Sequence, residues 1–319
     1  MNLYVVDGSA PPALLEGEPL SRRLASITFF FPALIQSRAC FLKAAWTLQR
    51  RGVIRLCNVA SPSDIDAINK RTDQLLESIH RLRTTGIVEE QITNAYLNLP
   101  GKLTIRGYKQ LVHADRSVIN LRFSRPDGRS GSDAGMIDIF HPQKLSPDFR
   151  HFSSRLLQEK VIRALIQTSS LCKVQTKCRN LYINDGVQDT RGFHCDGRST
   201  KFKSFLFLSD VKHLEDGPYC YVSGSHHNDA LWQKNRVFNE ANGIDASEFT
   251  QLRGIQAIPL FANAGDMVIS SQAGAHRGHP QMAEGSRRVL VAMYSPKSAI
   301  KLSRRERMNQ SLRRWITTW

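Results

Sequence analysis

The sequence has no apolar run long enough to cross a lipid bilayer. A transmembrane helix needs about 20 consecutive apolar residues, whereas the longest candidate, residues 27–35, is short and contains Pro32. A secretory signal would place basic residues directly before an uninterrupted apolar stretch, and residues 16–23 instead mix glutamates with arginines. We therefore expect a soluble, cytoplasmic protein with no membrane partner.

Closely spaced cysteines are also missing. The six cysteines are scattered along the chain, and no two of them form a CxxC pair. Structural zinc sites and disulfide-rich domains both depend on such spacing. We therefore expect reduced thiols. There is also no internal repeat and no low-complexity tract.

Acidic residues are scarce relative to basic ones. Lysine and arginine number 44 against 28 aspartates and glutamates, which gives a formal net charge of +16. Such a charge attracts nucleic acid, anionic surfaces or acidic small molecules. No nucleic-acid-binding module accompanies it, so a nucleic-acid partner is not expected. The basic excess near the end of the chain predicts a solvated helix over residues 297–319.

The first half of the chain favours helices. Residues 1–36 show little periodicity and predict an N-terminal arm. Apolar residues at helical spacing predict helices over residues 39–50, 62–81 and 146–169, and Gly52 ends the first of them. A short strand is predicted at 53–59. The stretch 84–147 is less regular, and we expect a lid there, with short strands at 109–112 and 117–123 and a polar loop at 125–135.

The second half of the chain favours strands. Short apolar or alternating segments separated by turn signals predict strands over residues 177–183, 203–208, 219–222, 256–260, 266–270 and 288–294. This density is typical of a β-sandwich or jelly roll. The sequence therefore predicts a β-rich α+β fold in one domain over residues 37–296. Its helical and lid part would cover 37–173, and its β core 174–296.

The sharpest local motif is His194-Cys195-Asp196. Side chains at i and i+2 of an extended segment point to the same side, so the imidazole and the carboxylate can reach one ion while Cys195 points away. An HxD motif alone is weak, because a surface histidine and aspartate at a turn explain it more often. His276, delivered by a later predicted strand, completes two histidines and one carboxylate. That set leaves open positions on Fe(II).

Two choices stay open at this point. His279 is close enough to compete with His276 as the second histidine ligand, although Gly278 and Pro280 flank it. Arg287 stands eleven residues beyond His276 (287 − 276), and a guanidinium is a natural bidentate partner for a carboxylate. Arg288 is its rival. Neighbouring strand residues face opposite sides, so only one of the two arginines can face a buried site.

Several motifs together resemble the phytanoyl-CoA dioxygenase-like branch of the 2-oxoglutarate oxygenases. They are HCD at 194–196, GPYCYVSGSHH at 217–227, GD at 265–266, AHRGHP at 275–280 and RRVLVAMY at 287–294. Residues 50–68 resemble the opening strand and helix of that family, so the likeness covers roughly half the chain at motif level. It implies a double-stranded β-helix, a cupin-like jelly roll with N-terminal helices packed on it.

The resemblance also implies an activity. The chain would be an Fe(II)/2-oxoglutarate-dependent dioxygenase that oxidises, most simply hydroxylates, a small molecule while 2-oxoglutarate and O₂ become succinate and CO₂. The metal ligands would be His194, Asp196 and His276. Halogenases of this kind replace the carboxylate ligand by a small residue, so Asp196 favours an oxidative outcome.

The resemblance implies a co-substrate site as well. Arg287 would bind the distal carboxylate of 2-oxoglutarate. Several relatives place a hydroxyl two residues after the second histidine ligand, where this chain has Gly278. That contact is therefore expected from Tyr182, Asn184 or Thr190.

The basic residues around the HCD motif could indicate the charge of the substrate. They are Arg191, Arg198, Lys201 and Lys203. Arg198 and Lys201 directly follow Asp196 and are the candidates for meeting an acidic or phosphate-bearing substrate; the alternative is a solvated rim. Two other classes of protein stay open, a jelly-roll binding or regulatory protein without turnover and a zinc-dependent hydrolase with similar ligands.

Overall fold

The computed structural model describes residues 11–84, 117–122 and 131–297. Its strands, β1 to β12 in chain order, are Ala13–Leu14, Thr28–Phe30, Val53–Cys57, Val118–Leu121, Ile137–Phe140, Val174–Asp185, Phe202–Phe207, Tyr219–Tyr221, Gln256–Leu260, Met267–Ser271, His276–Gly278 and Ser286–Pro296. They form an eight-stranded sheet, in the order β2-β3-β10-β7-β12-β6-β5-β4, and a four-stranded sheet, β1-β9-β8-β11.

The α-helices of the described residues are α1 to α7. They span Gly17–Ile27, Phe31–Gln36, Arg38–Arg51, Pro62–Thr84, Pro147–Leu156, Glu159–Ser170 and Asp229–Ala241. In this part of the chain, none of them combines the length and the apolar character that a bilayer-spanning helix needs.

Side-chain alternation on the large sheet divides the core in two. Phe205 of β7 and Val289 of β12 face inward and meet Tyr219 and Tyr221 of the small sheet. Leu206, the neighbour of Phe205, faces outward into a second core, because successive strand residues point to opposite faces. The space between the two sheets is the interior of the predicted double-stranded β-helix, and it carries the candidate site.

The outer face of the large sheet is covered by helices. Leu48 of α3, Ile68 of α4 and Ile162 of α6 are fully buried in the same cluster as Leu206. The predicted packing of N-terminal helices on the β core is therefore confirmed.

Two parts of the fold differ from the sequence-based expectation. The described part of the predicted arm, residues 11–36, contains two helices and two strands, and β1 and β2 pair in parallel with β9 and β3. These strands are too short for a periodic signal, so distant pairing partners define them. The single helix expected over 146–169 is two helices, and it breaks at Gln158, whose φ is +46°.

Other expected elements can be compared only in part. The strand expected at 117–123 is β4. The strand expected at 109–112, residues 125–130 of the polar loop and all but Lys297 of the predicted basic helix lie outside the described residues.

Gly52 ends α3 as predicted, in the left-handed region at φ +76°. A Cβ at this position would lie 2.5 Å from Nδ1 of His226 and closer still to the hydroxyl of Tyr221. The turn from α3 into β3 therefore needs glycine both for its backbone conformation and for the close approach of the small sheet.

Replacing Gly52 by alanine should lower the free energy of unfolding by about 2–4 kcal/mol, since it adds steric overlap to backbone strain. Gly243→Ala is the matched control: its φ is +65° and nothing lies within 4 Å of the added Cβ, so about 1 kcal/mol is expected. Urea denaturation of both variants measures the difference. Equal losses would show that the contacts with Tyr221 and His226 carry no cost.

Candidate metal centre

Three predicted ligands come together beside the interior between the two sheets, where the ring centroid of His276 lies 5.6 Å from that of Tyr219. His194, Asp196 and His276 each offer one ligand atom, and these three atoms lie within 4.8 Å of one another. No other such group of histidine, cysteine or acidic residues occurs in the described residues. His194 Nε2 is 3.8 Å from Asp196 Oδ1. The two imidazole centroids are 4.5 Å apart.

Backbone hydrogen bonds hold these ligands in register. The N–H of His194 donates to the carbonyl of His276, and the N–H of His276 donates to the carbonyl of His194, both at 2.9 Å. The Asp196 N–H donates to the carbonyl of Gln272 at 2.9 Å. Two segments 82 residues apart in sequence (276 − 194) are thus fixed as a short antiparallel bridge.

Both imidazoles are oriented by a carbonyl two residues earlier in the chain. Nδ1 of His194 lies 2.8 Å from the carbonyl oxygen of Gly192, and Nδ1 of His276 lies 2.9 Å from that of Gly274. A carbonyl oxygen only accepts, so each Nδ1 carries the proton. The Nε2 lone pairs are left free for a metal, which is the usual way such contacts fix the tautomer.

The protonation states suit a cation. Burial lowers the pKa of His276 to about 4, and burial together with the nearby His276 lowers the pKa of His194 well below its ordinary value. Burial raises the pKa of Asp196, but Lys203 and the two histidines lower it by more, and the net pKa lies well below the ordinary range. The site therefore presents two neutral imidazoles and one carboxylate at neutral pH.

Lys203 is part of this centre, which the sequence analysis missed. Its Nζ lies 2.7 Å from Oδ2 of Asp196, and its side chain is only 18% exposed. Strand alternation could have identified it, because Lys203 lies on the same inward face of β7 as Phe205 and Phe207. The sequence pattern placed Lys203 only among the basic residues around the HCD motif, so its inward orientation was not predicted.

The two candidate arginines lie on opposite faces of β12. Arg288 pairs with Asp73 of α4 at 2.6 Å on the outer face. Arg287 lies opposite Asn184 of β6, and its guanidinium donates to the carbonyl of Gly217. No carboxylate among the described residues forms an ion pair with Arg287, and burial lowers its pKa to about 10.

Gly278, the departure from the family pattern, makes room for Arg287. A Cβ on Gly278 would lie 3.4 Å from Nη2 of Arg287. Gly278 and His276 are two residues apart on β11, so about 6.6 Å separates their Cα atoms along the strand. The Arg287 guanidinium therefore faces the same interior as the metal ligands.

The other expected co-substrate residues divide into two groups. Tyr182 and Asn184 lie on β6 opposite Val289 and Arg287, and the buried Oδ1 of Asn184 has no hydrogen-bond partner. Thr190 instead accepts a hydrogen bond from Arg277 at 2.8 Å. That bond ties the segment before the HCD motif to β11.

The basic residues after Asp196 are already engaged. Arg198 pairs with Asp229 and lies over the ring of Trp232 at 5.2 Å. Lys201 donates to the backbone carbonyl of Asp196 at 3.2 Å. His279 is not in the ligand cluster, and its Nδ1 faces the carbonyl of Pro280 at 2.9 Å.

Comparison with known proteins supports the fold. No model of a known protein family matches the chain, and no curated protein sequence matches it. Among solved structures it is similar to SnoN, a non-heme alpha ketoglutarate dependent epimerase from nogalamycin biosynthesis, with a TM-score of 0.50 and 15% identity over 82% of this chain and 84% of SnoN. This likeness shows a shared fold, whereas the phytanoyl-CoA dioxygenase-like branch stays a prediction.

Two further solved structures are similar at lower scores. AviO1 from Streptomyces viridochromogenes Tue57 has a TM-score of 0.49 and 16% identity over 82% of this chain and 96% of its own. HygX from Streptomyces hygroscopicus, with nickel and 2-oxoglutarate bound, has a TM-score of 0.46 and 13% identity over 79% and 85%.

Replacing His276 by alanine should weaken nickel(II) binding by more than about 100-fold, because it removes a ligand and not merely a supporting contact. His279→Ala is the matched control and should bind nickel(II) like the parent protein. Isothermal titration calorimetry on metal-free protein measures both. A large loss in His279→Ala with none in His276→Ala would move the second histidine ligand to position 279.

Proposed function

We propose that this protein is an Fe(II)- and 2-oxoglutarate-dependent oxygenase that acts on a small molecule. The observation that carries the proposal is Arg287, an inward guanidinium without a carboxylate partner in the described residues. It lies beside Gly278, two residues along β11 from the ligand His276. Two histidines and one carboxylate with open positions are the set that suits Fe(II) in oxygenases.

The charges at the site fit a dicarboxylate co-substrate. A buried guanidinium is costly to desolvate unless an anion compensates it. A dicarboxylate held with one end at the metal centre and the other at Arg287 supplies that anion. SnoN, which shares the fold, is by its printed name an alpha ketoglutarate dependent enzyme, and this agrees with the proposal.

Each protein group has a defined part in the proposed reaction. His194 and His276 would hold the metal through Nε2, and Asp196 through Oδ1. Arg287 would orient the co-substrate, with Tyr182 and Asn184 beside it on the inner face. When bound, Fe(II) with 2-oxoglutarate and O₂ supplies the oxidising chemistry, and the co-substrate leaves as succinate and CO₂.

We propose hydroxylation as the outcome, because the carboxylate ligand Asp196 is retained.

For the substrate we propose an acidic small molecule that meets Lys201. Arg198 would first have to leave Asp229, whereas the Lys201 ammonium donates to a backbone carbonyl and has no acidic partner in the described part of the chain.

Protein loaded with Fe(II) should convert 2-oxoglutarate to succinate in air, slowly alone and faster when a true substrate is added. Succinate is measured by mass spectrometry across a panel of matched acidic and neutral metabolites. His194→Ala, which lacks a ligand, should give no succinate. Loaded protein that neither binds nor consumes 2-oxoglutarate would favour a binding protein, and zinc-stimulated ester or amide cleavage would favour a hydrolase.

Arg287→Met should raise the KM for 2-oxoglutarate by about thirtyfold or more, because removing one partner of a buried charge pair costs on the order of 2–5 kcal/mol. Arg288→Met is the matched control on the opposite face of the same strand. Its KM should stay near the parent value, since the arginine it removes pairs with Asp73 outside the β-helix. The reverse ranking of the two KM values would assign the co-substrate to Arg288.

A further inference from the structure

The two carboxylate oxygens of Asp196 face different partners. Oδ1 lies 3.8 Å from Nε2 of His194, on the side of the ligand cluster. Oδ2 lies 2.7 Å from Nζ of Lys203. The carboxylate is therefore divided between the ligand cluster and an ammonium group.

Lys203 is held firmly in this position. It lies on β7, which is paired on both sides, with Ser270 of β10 and Met293 of β12 as its partners in register. A central strand cannot shift without breaking two ladders of hydrogen bonds. The ammonium is mostly buried, and Asp196 is the one carboxylate with which it forms an ion pair among the described residues.

The backbone of Asp196 is fixed as well. Its N–H donates to the carbonyl of Gln272 at 2.9 Å, and its own carbonyl accepts from Nζ of Lys201 at 3.2 Å. With the backbone fixed, the Asp196 side chain can still rotate. The ion pair with Lys203 prevents that rotation.

We propose that Lys203 is a positioning residue of the metal centre, which holds Oδ2 of Asp196 so that only Oδ1 is offered to the metal. This inference rests on the proposed function. A carboxylate that used both oxygens would occupy a coordination position that a chelating co-substrate needs. Lys203 also neutralises part of the negative charge on Asp196. It therefore lowers the affinity of the site for the metal and raises its affinity for the co-substrate.

The role predicts two opposite changes in Lys203→Met. Nickel(II) should bind about tenfold more tightly, because the ammonium that repels the metal ion and competes with it for the carboxylate is gone. 2-Oxoglutarate should bind the nickel-loaded variant about tenfold more weakly, because Asp196 can now use both oxygens. Lys203→Arg keeps the charge and should restore both affinities towards the parent values.

Calorimetry with nickel(II) chloride, then with 2-oxoglutarate at saturating nickel, measures both affinities. Lys234→Met, an exposed lysine on α7, is the matched control and should match the parent in both. The visible spectrum of cobalt(II)-loaded protein gives a second readout, which should change in Lys203→Met and be restored in Lys203→Arg.

Three results would overturn this role. If both affinities fall together with the melting temperature, Lys203 only supports the fold. If 2-oxoglutarate alone binds more weakly, Lys203 contacts the co-substrate directly. If neither affinity changes, the ion pair has no function at the metal. A parent protein that binds neither nickel nor 2-oxoglutarate contradicts the proposed function instead, so the two failures are distinguishable.

Discussion

The pair of backbone hydrogen bonds between His194 and His276 is the constraint on which the site depends. His194 follows the long strand β6, and His276 begins β11 in the opposite sheet. Their reciprocal N–H to carbonyl bonds, both 2.9 Å, make the two imidazoles neighbours. The i+2 relation then brings Asp196 to the same side, and the same relation on β11 puts Gly278, which adjoins Arg287, on the side of His276. The short bridge thus brings the three candidate metal ligands to the interior that Arg287 faces.

Charge balance accounts for the other features of the interior. Lys203 is neutralised by Asp196, and the outward Arg288 is neutralised by Asp73. Arg287 has no such partner in the described residues, although burial of an unpaired charge is unfavourable. An interior that keeps the Arg287 guanidinium without an ion pair beside an intact set of candidate metal ligands is suited to a ligand that carries its own negative charge.

Much of the site could be predicted because it depends on local periodicity. Strand alternation alone places His194 and Asp196 on one side, and it separates Arg287 from Arg288. Strand alternation could have placed Lys203 on the inward face of β7, but its contact with Asp196 depends on tertiary packing, which a list of charges near a motif does not contain. The strands β1 and β2 were missed for a related reason, since segments of two or three residues gain their structure from distant partners. The break at Gln158 depends on tertiary packing, which overrides a continuous helical pattern.

The most direct measurement is the visible absorption of Fe(II)-loaded protein on addition of 2-oxoglutarate without oxygen. Chelation of Fe(II) by the 1-carboxylate and 2-oxo oxygens gives a charge-transfer band that simple carboxylate binding does not give. We expect this band in the parent protein, its absence in His276→Ala, and its appearance in Arg287→Met only at much higher 2-oxoglutarate concentration. A parent protein that binds Fe(II) and 2-oxoglutarate without developing the band would rule out the proposed function, because the co-substrate would then lie away from the metal.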